Sequence, residues 1–391
     1  MGKDNQGLEA HRFRPLFTGE TDPQGPQARP RARSVATVRS LLARTPAPRM
    51  GRGQAKTLPF LHSSLRSRIT QPMDERFLNC AITFANGAVG EVIEFESANP
   101  ANFHDIITGA DFPKLTLDGK LFLPPDHDGS PLPAIIVCPG SVGVAESHLM
   151  HTETLCEAGY AAFIIDPFGA RSVVSTFANQ TQFSFAASAY DVLAAVKALS
   201  ARPEVDETRI GVQGHSRGGS AVVQAAMRVM QDTVLGKGAG IKAVYGVYPW
   251  AGQQFLNPDI GDVVMRIVIG EQDNWCSPQQ AQGYAQAIRL AGGDCAFRLF
   301  ENAQHSFDRR QGIEDFPDAA VAPHAPTVYI DDNGAFIDVI TGRSDPKTSD
   351  IDFMSRAARE GFLVTGASLG SRGDQADQFR EDMLSFWEGA L

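Results

Sequence analysis

The chain predicts an α/β protein with a mostly parallel sheet and helices on both of its faces. Short apolar, β-branched runs recur from residue 133 onward, separated by segments of helical periodicity. Such alternation requires crossover connections, which join parallel neighbours. A third observation is the pentapeptide GHSRG at 214–218, set between a strand-like run and a small-residue helix. A serine at the tip of a strand–turn–helix unit marks a nucleophile held on a strained turn, with flanking glycines where packed backbone leaves no room for side chains.

The opening elements read as β structure. Residues 81–85 and 89–95 flank Asn86 and Gly87, the dipeptide best suited to a tight hairpin turn, and 117–123 suggest a second return of the same kind. Residues 133–139 and 160–165 are buried strands. Phe185, Ala189, Val192, Val196 and Leu199 share one helix face. Arg209 to Gln213 is the strand entering the pentapeptide, and 218–231, apolar almost all round, is the buried helix behind it. Strands follow at 241–248, 262–269 and 295–300. Beyond His305 lie about seventy residues that a minimal domain of this type does not need. Within them, 327–336 reads as a hairpin and 351–362 as a helix, and an amphipathic helix near 378–387 closes the chain. Residues 308–372 are therefore an insertion, either a lid or flank of the pocket or an outer packing layer.

The 391 residues are 43% hydrophobic, enough for a substantial core in a single domain. Charge is unevenly spread. Up to Gln71 there are eleven Arg and two Lys against Asp4, Glu9, Glu20 and Asp22, a balance of +9; the total of −10 leaves −19 for the remainder. This arm is rich in Pro and Gly and poor in periodic apolar residues, so residues 1–72 are expected not to order themselves, with the enzyme domain at 73–391. The arm reads as upstream sequence preceding a natural start at Met73, with a mitochondrial-type leader or a nucleic-acid-binding tail as the alternatives. It holds no run long enough to span a membrane. Five cysteines, at 80, 138, 156, 276 and 295, have no paired spacing and no zinc-like cluster. They suit small buried positions in a reducing compartment and hence a cytoplasmic enzyme.

An activated serine needs a base within hydrogen-bonding reach and a third group to orient that base. Ser216 is the candidate nucleophile. The run ending at Ile269 is followed by Gly270, Glu271, Gln272 and Asp273, which puts a carboxylate just beyond a strand's C-terminal end. Asp273 is the candidate orienter, with Glu271 and Asp262 as alternatives and helix capping near Ser277 as the plain structural role. His305, in the loop after strand 295–300, is the candidate base, because among nine histidines it alone follows a strand downstream of the acid. The order Ser, Asp, His is the one an α/β-hydrolase sheet imposes. Two backbone amides should hold the oxyanion, that of Arg217 and one from the Gly140–Gly143 loop, with Ser141 first and Val142 next. Arg171 is a candidate for a substrate carboxylate or a tie between loops. Trp250 and Trp275 are candidates for apolar pocket wall or for core packing. His148 and His151 share a helix face at a spacing that suits a metal, but lack a third ligand, so no metal is expected. Cys276 lies close to Asp273 yet has no base of its own.

Taken together, residues 137–144, 166–171, 211–219, 270–275 and the His305 loop resemble the dienelactone hydrolase branch of the α/β hydrolases, over roughly 115–307. The resemblance implies that fold and a hydrolytic site at these residues. The namesake enzymes use a cysteine nucleophile and a glutamate in the early loop, where this chain has Ser216 and Gly140. The departure implies a serine carboxylesterase more than dienelactone ring opening. The expected activity is hydrolysis of a small-molecule ester or lactone through an acyl-enzyme, with no cofactor, nucleic-acid partner or membrane partner and the oligomeric state left open. Acyl transfer or peptide cleavage on the same triad, or a catalytically inactive binding protein, are the competing readings.

Overall fold

In the computed structural model, which describes residues 77–338 and 341–391, the apolar runs pair into one eight-stranded sheet. The described residues fall within a compact unit of His62–Leu391, and the basic arm lies outside them. In chain order the first half comprises β1 (Glu91–Ala98), α1 (Phe103–Thr108), β2 (Lys114–Phe122), β3 (Leu132–Cys138), α2 (Glu146–Glu157), β4 (Ala161–Asp166), α3 (Phe185–Ser200) and β5 (Val205–His215). There follow α4 (Arg217–Ala225), α5 (Arg228–Val234), β6 (Ala243–Val247), β7 (Gln253–Phe255), β8 (Val264–Gly270), α6 (Pro278–Leu290) and β9 (Asp294–Phe300). The C-terminal part contains β10 (Glu314–Val321), β11 (Val328–Ile330), β12 (Phe336–Ile337), β13 (Ser344–Asp345), α7 (Asp350–Arg359), β14 (Val364–Leu369) and α8 (Gln375–Ala390).

The large sheet runs β1-β2-β4-β3-β5-β6-β8-β9. β1 and β2 are antiparallel to their neighbours, while β4, β3, β5, β6, β8 and β9 are parallel. Helices cover both faces. A side chain at Gly211 would meet Trp387 of α8, and one at Gly214 would meet Gly218 of α4. Three residues along a strand reverse the facing, so α8 and α4 lie on opposite sides of β5. The inner parallel strands β4 and β6 bury fully because both faces are covered, whereas the edge strand β9 leaves Leu299 exposed. Their common direction brings the loops after β3, β5, β8 and β9 to one carboxyl edge.

Three expectations are corrected. Residues 117–122 do not turn back but continue as β2, with Gly119 there because a Cβ would lie 2.6 Å from the Phe163 ring. The hairpin at Asn86 and Gly87 shrinks to a single Thr83–Val89 bridge, since β1 takes β2 as its partner. The helix expected over 218–231 is two, broken at Met227, which is extended (φ −60°, ψ 122°) while the Arg228 N–H bonds Asp259 O at 2.8 Å. The expected hairpin at 327–336 is present as β11 and β12, joined through Ile330 and Phe336. Two smaller sheets form beside the main one: β10 with β14, and β13-β12-β11-β7. None of the helices among the described residues is long and apolar enough to cross a membrane.

Candidate active site

Ser216 follows β5 and precedes α4 with φ 55° and ψ −114°. An L-residue held there carries strain of about 1–3 kcal/mol, so the surroundings must impose it. They do so through close backbone contacts. A Cβ at Gly214 would lie 2.0 Å from Gly218 O, and one at Gly218 would lie 2.4 Å from Cys138 O. The Ser216 N–H bonds Val247 O at 2.9 Å, and its carbonyl accepts the Ser220 N–H at 2.9 Å. Strand β6 and the helix thus fix the turn from both sides, leaving the hydroxyl at the sheet's carboxyl edge.

Sequence distance disappears at that edge. His305 Nε2 stands 3.0 Å from Ser216 Oγ, and His305 Nδ1 stands 2.7 Å from Asp273 Oδ2. The other carboxylate oxygen of Asp273 accepts the N–H groups of Trp275 at 2.8 Å and Cys276 at 2.9 Å, so both carboxylate oxygens have partners. Neither Glu271 nor Asp262 reaches the histidine: Glu271 accepts the Asn302 N–H, and Asp262 pairs with Arg228. The imidazole lies between the Trp275 ring, stacked at 5.2 Å and 15°, and the Tyr248 ring at 4.5 Å. Its backbone is held from the C-terminal segment, where the Gly370 N–H bonds His305 O at 2.8 Å beside Leu369. Packed rings and a pinned backbone leave the imidazole little room to rotate.

The early loop passes directly over the serine. A Cβ at Gly140 would lie 3.2 Å from Ser216 Cβ, which accounts for glycine at that position. Ser141 O accepts the Thr176 N–H at 2.7 Å and the Ser175 hydroxyl at 3.0 Å. Among the described residues the N–H groups of Ser141 and Arg217 meet no protein acceptor, as two oxyanion donors would require. The Arg217 side chain does something the sequence did not suggest. Its Nε donates to Ser188 Oγ, NH1 to Gln180 O and Oε1, and NH2 to Phe183 O and Ser184 O, which uses all five N–H bonds. The Phe183 and Phe185 rings each lie 4.2 Å from it. Burial pulls its pKa down to about 9. This guanidinium therefore ties the 180–184 loop against α3 and α4.

Ser141, Ser216 and Arg217 open onto a cavity of about 340 Å³ that Trp250 and Trp275 also line. Its far wall comes from the segment after His305, with residues of β10 and α7. Two expected pocket residues fall elsewhere. Val142 does not line the cavity. Arg171 reaches Asp191 at 2.7 and 2.9 Å, Asn99 at 2.7 Å, Pro167 O at 2.7 Å and Ala98 O at 3.1 Å. All five of its N–H bonds are consumed, so it ties loops and has none left for a carboxylate. Cys276 lines the cavity, but burial pushes its thiol well above the ordinary value, the opposite of nucleophile activation.

Behind the histidine lies a buried network that pattern reading missed. Asp308 accepts the Tyr248 hydroxyl at 2.7 Å on one oxygen; the other meets His151 Nε2 at 2.7 Å and lies 3.4 Å from His215 Nδ1. His215 Nε2 meets Gln213 at 3.0 Å, and Gln213 accepts the Trp387 indole at 3.0 Å. Burial alone would raise the Asp308 pKa, yet hydrogen bonds from His151 and His215 overcome it and hold the carboxyl well below its usual range. Burial lowers His215 in turn. His151, His215 and Asp308 place three possible ligand atoms within 4.8 Å of one another, but these atoms already serve one another as hydrogen-bond partners. The short His151 to Asp308 contact is that of such a bond. The pattern that could have flagged Asp308 is its place three residues after His305, on the same edge.

Residues 117–328 match the dienelactone hydrolase family. No curated protein matches the chain. Among solved structures, a dienelactone hydrolase-like promiscuous phosphotriesterase, P91 from metagenomic libraries, is 15% identical over 77% of this chain and 99% of its own, with a TM-score of 0.43. Esterase Est22 is 15% identical over 57% and 75%, with a TM-score of 0.42. Est1E from Butyrivibrio proteoclasticus is 18% identical over 49% and 86%, with a TM-score of 0.36. Because the family match spans more than half of its length, the chain belongs to the dienelactone hydrolase family, and it is a carboxylic ester hydrolase of the α/β-hydrolase fold.

Proposed function

We propose that the chain is a serine hydrolase that cleaves small-molecule carboxylic esters or lactones through an acyl-enzyme. Ser216 Oγ attacks the carbonyl carbon while His305 Nε2 takes its proton. The charge that develops on the carbonyl oxygen is met by the N–H groups of Ser141 and Arg217; losing one such donor commonly reduces turnover about a hundredfold or more. As the carbon–oxygen bond breaks, the alcohol leaves with the proton returned by His305. Water, deprotonated by His305, then attacks the acyl-enzyme and releases the acid together with regenerated Ser216. Asp273 keeps the Nδ1–H directed toward itself and Nε2 open as acceptor. These steps call for no cofactor.

The observation that carries this reading is the continuous contact Ser216–His305–Asp273, at 3.0 and 2.7 Å, facing an apolar cavity. None of the five cysteines forms a disulfide, which favours a reducing compartment such as the cytoplasm. Ser216→Ala is expected to abolish turnover of a short p-nitrophenyl ester and labelling by a fluorophosphonate probe, with the circular dichroism spectrum unchanged. Retained turnover, or a label mapping to another residue, would defeat the assignment.

A further inference from the structure

We infer that the substrate is an uncharged ester or lactone carrying a bulky apolar limb that lies beneath α7. The inference rests on the serine-hydrolase reading and adds to it the class of substrate. Three observations bear on it: what lines the cavity, what charge it offers, and how its roof is held.

The lining near the serine is Trp250, Trp275 and Phe185, and the opposing roof is Phe353, Met354 and Leu363. A volume of about 340 Å³ falls at the lower end of the range for small-molecule sites, roughly 300–1,000 Å³. A space of this size walled largely by apolar side chains favours an occupant that leaves water without losing hydrogen bonds of its own. Among the described residues the only charged side chain in the lining is Arg217, and its five N–H bonds all go to protein oxygens. A substrate carboxylate would therefore be desolvated there with no uncommitted cation to pair with it.

The roof is held in place without substrate. Asp350 begins α7 and is fully buried; one carboxylate oxygen accepts the Ala186 N–H of α3 at 2.8 Å and the other accepts Gln253 Nε2 at 2.9 Å. Its own N–H bonds Ala101 O at 3.0 Å. One turn on, the Phe353 ring stacks on Phe336 at 5.3 Å. The apolar face of α7 is thus anchored at its N-terminus over the cavity, and a substrate does not have to order it.

The test is a set of p-nitrophenyl acyl esters from acetate to octanoate, a matching set of acetate esters of longer alcohols, and a hemisuccinate ester bearing a free carboxylate. Each buried methylene favours binding about fourfold at most. We expect kcat/KM to climb roughly thirtyfold or more along one of the two series, and the hemisuccinate to fall roughly tenfold or more below the uncharged ester of equal length. Ala357→Phe, which adds a ring from α7, should reduce the ratio of the longest to the shortest ester roughly tenfold. A peak at acetate in both series, a hemisuccinate equal to or better than its neutral counterpart, or an unchanged ratio in Ala357→Phe would overturn the inference. Should Ala357→Phe fail to fold, the wild-type series decide alone. Ser216→Ala run on the same panel separates the two readings. Activity surviving in it overturns the triad and this inference with it, whereas an inactive Ser216→Ala beside a flat wild-type panel overturns the substrate class alone.

Discussion

Asp273→Asn tests the orientation of the imidazole with almost no change in shape. In the native site one carboxylate oxygen accepts the Trp275 and Cys276 N–H groups, and the other accepts His305 Nδ1–H. An asparagine can keep only one of these arrangements. If its oxygen faced the histidine, its amide would confront two buried N–H donors. Losing those two hydrogen bonds and stranding their donors would cost on the order of 2–6 kcal/mol, so under roughly 4% of molecules would adopt that form. The oxygen therefore stays on the backbone, and the amide donates to Nδ1. That forces the proton onto Nε2, which then cannot accept from Ser216 at 3.0 Å. The expected loss is about 10³–10⁴ in kcat, or about 4–5.5 kcal/mol of transition-state stabilisation. KM should change little, because Asp273 does not line the cavity. Steady-state hydrolysis of the best p-nitrophenyl ester, with thermal unfolding as a check on the fold, measures both. A variant retaining more than about a tenth of wild-type kcat would refute the orienting role of Asp273.

Two predictions concern the scaffold. Burial raises the Asp350 carboxyl from 3.8 to about 6 despite hydrogen bonds from Ala186 and Gln253. The folded state then binds more protons than the unfolded chain between about pH 4 and pH 6, so this group's contribution to stability is present below pH 4 and declines by about 3 kcal/mol as pH rises through 6. Urea unfolding across that range should show the wild type losing this amount relative to Asp350→Asn; a difference independent of pH would reject it. Gly214→Ala should abolish both soluble expression and activity, because its Cβ would sit 2.0 Å from Gly218 O, backbone that cannot yield without displacing the elbow. A soluble, active Gly214→Ala enzyme would show that the elbow tolerates displacement.

Much of the molecule is legible in its sequence. Parallel strands write themselves as continuous apolar runs, and each of 133–139, 160–165, 241–248, 262–269 and 295–300 formed a strand of the main sheet. Glycine was the less reliable guide. Gly119 resembled a turn residue, yet it serves close packing against Phe163 within a strand; a local pattern cannot distinguish the two uses, since both require only a missing Cβ. The break at Met227 was equally hidden, because it depends on Asp259, a hydrogen-bond partner over thirty residues away.

By itself the sequence determined the sheet, the elbow, and the order of Ser216, Asp273 and His305, because these follow from periodicity and from where loops must leave parallel strands. Tertiary structure alone decided what each long side chain does. Arg171 read as a cation near a site and Arg217 only as the source of a backbone amide, and only the count of hydrogen-bond partners shows that both side chains are consumed as ties between loops. Tertiary structure also joined Asp308 to Tyr248 and the buried histidines, and set α7 over the cavity. The physical reason is that strand and helix periodicity is local, whereas hydrogen-bond satisfaction and cavity shape depend on residues that meet only after the chain has folded.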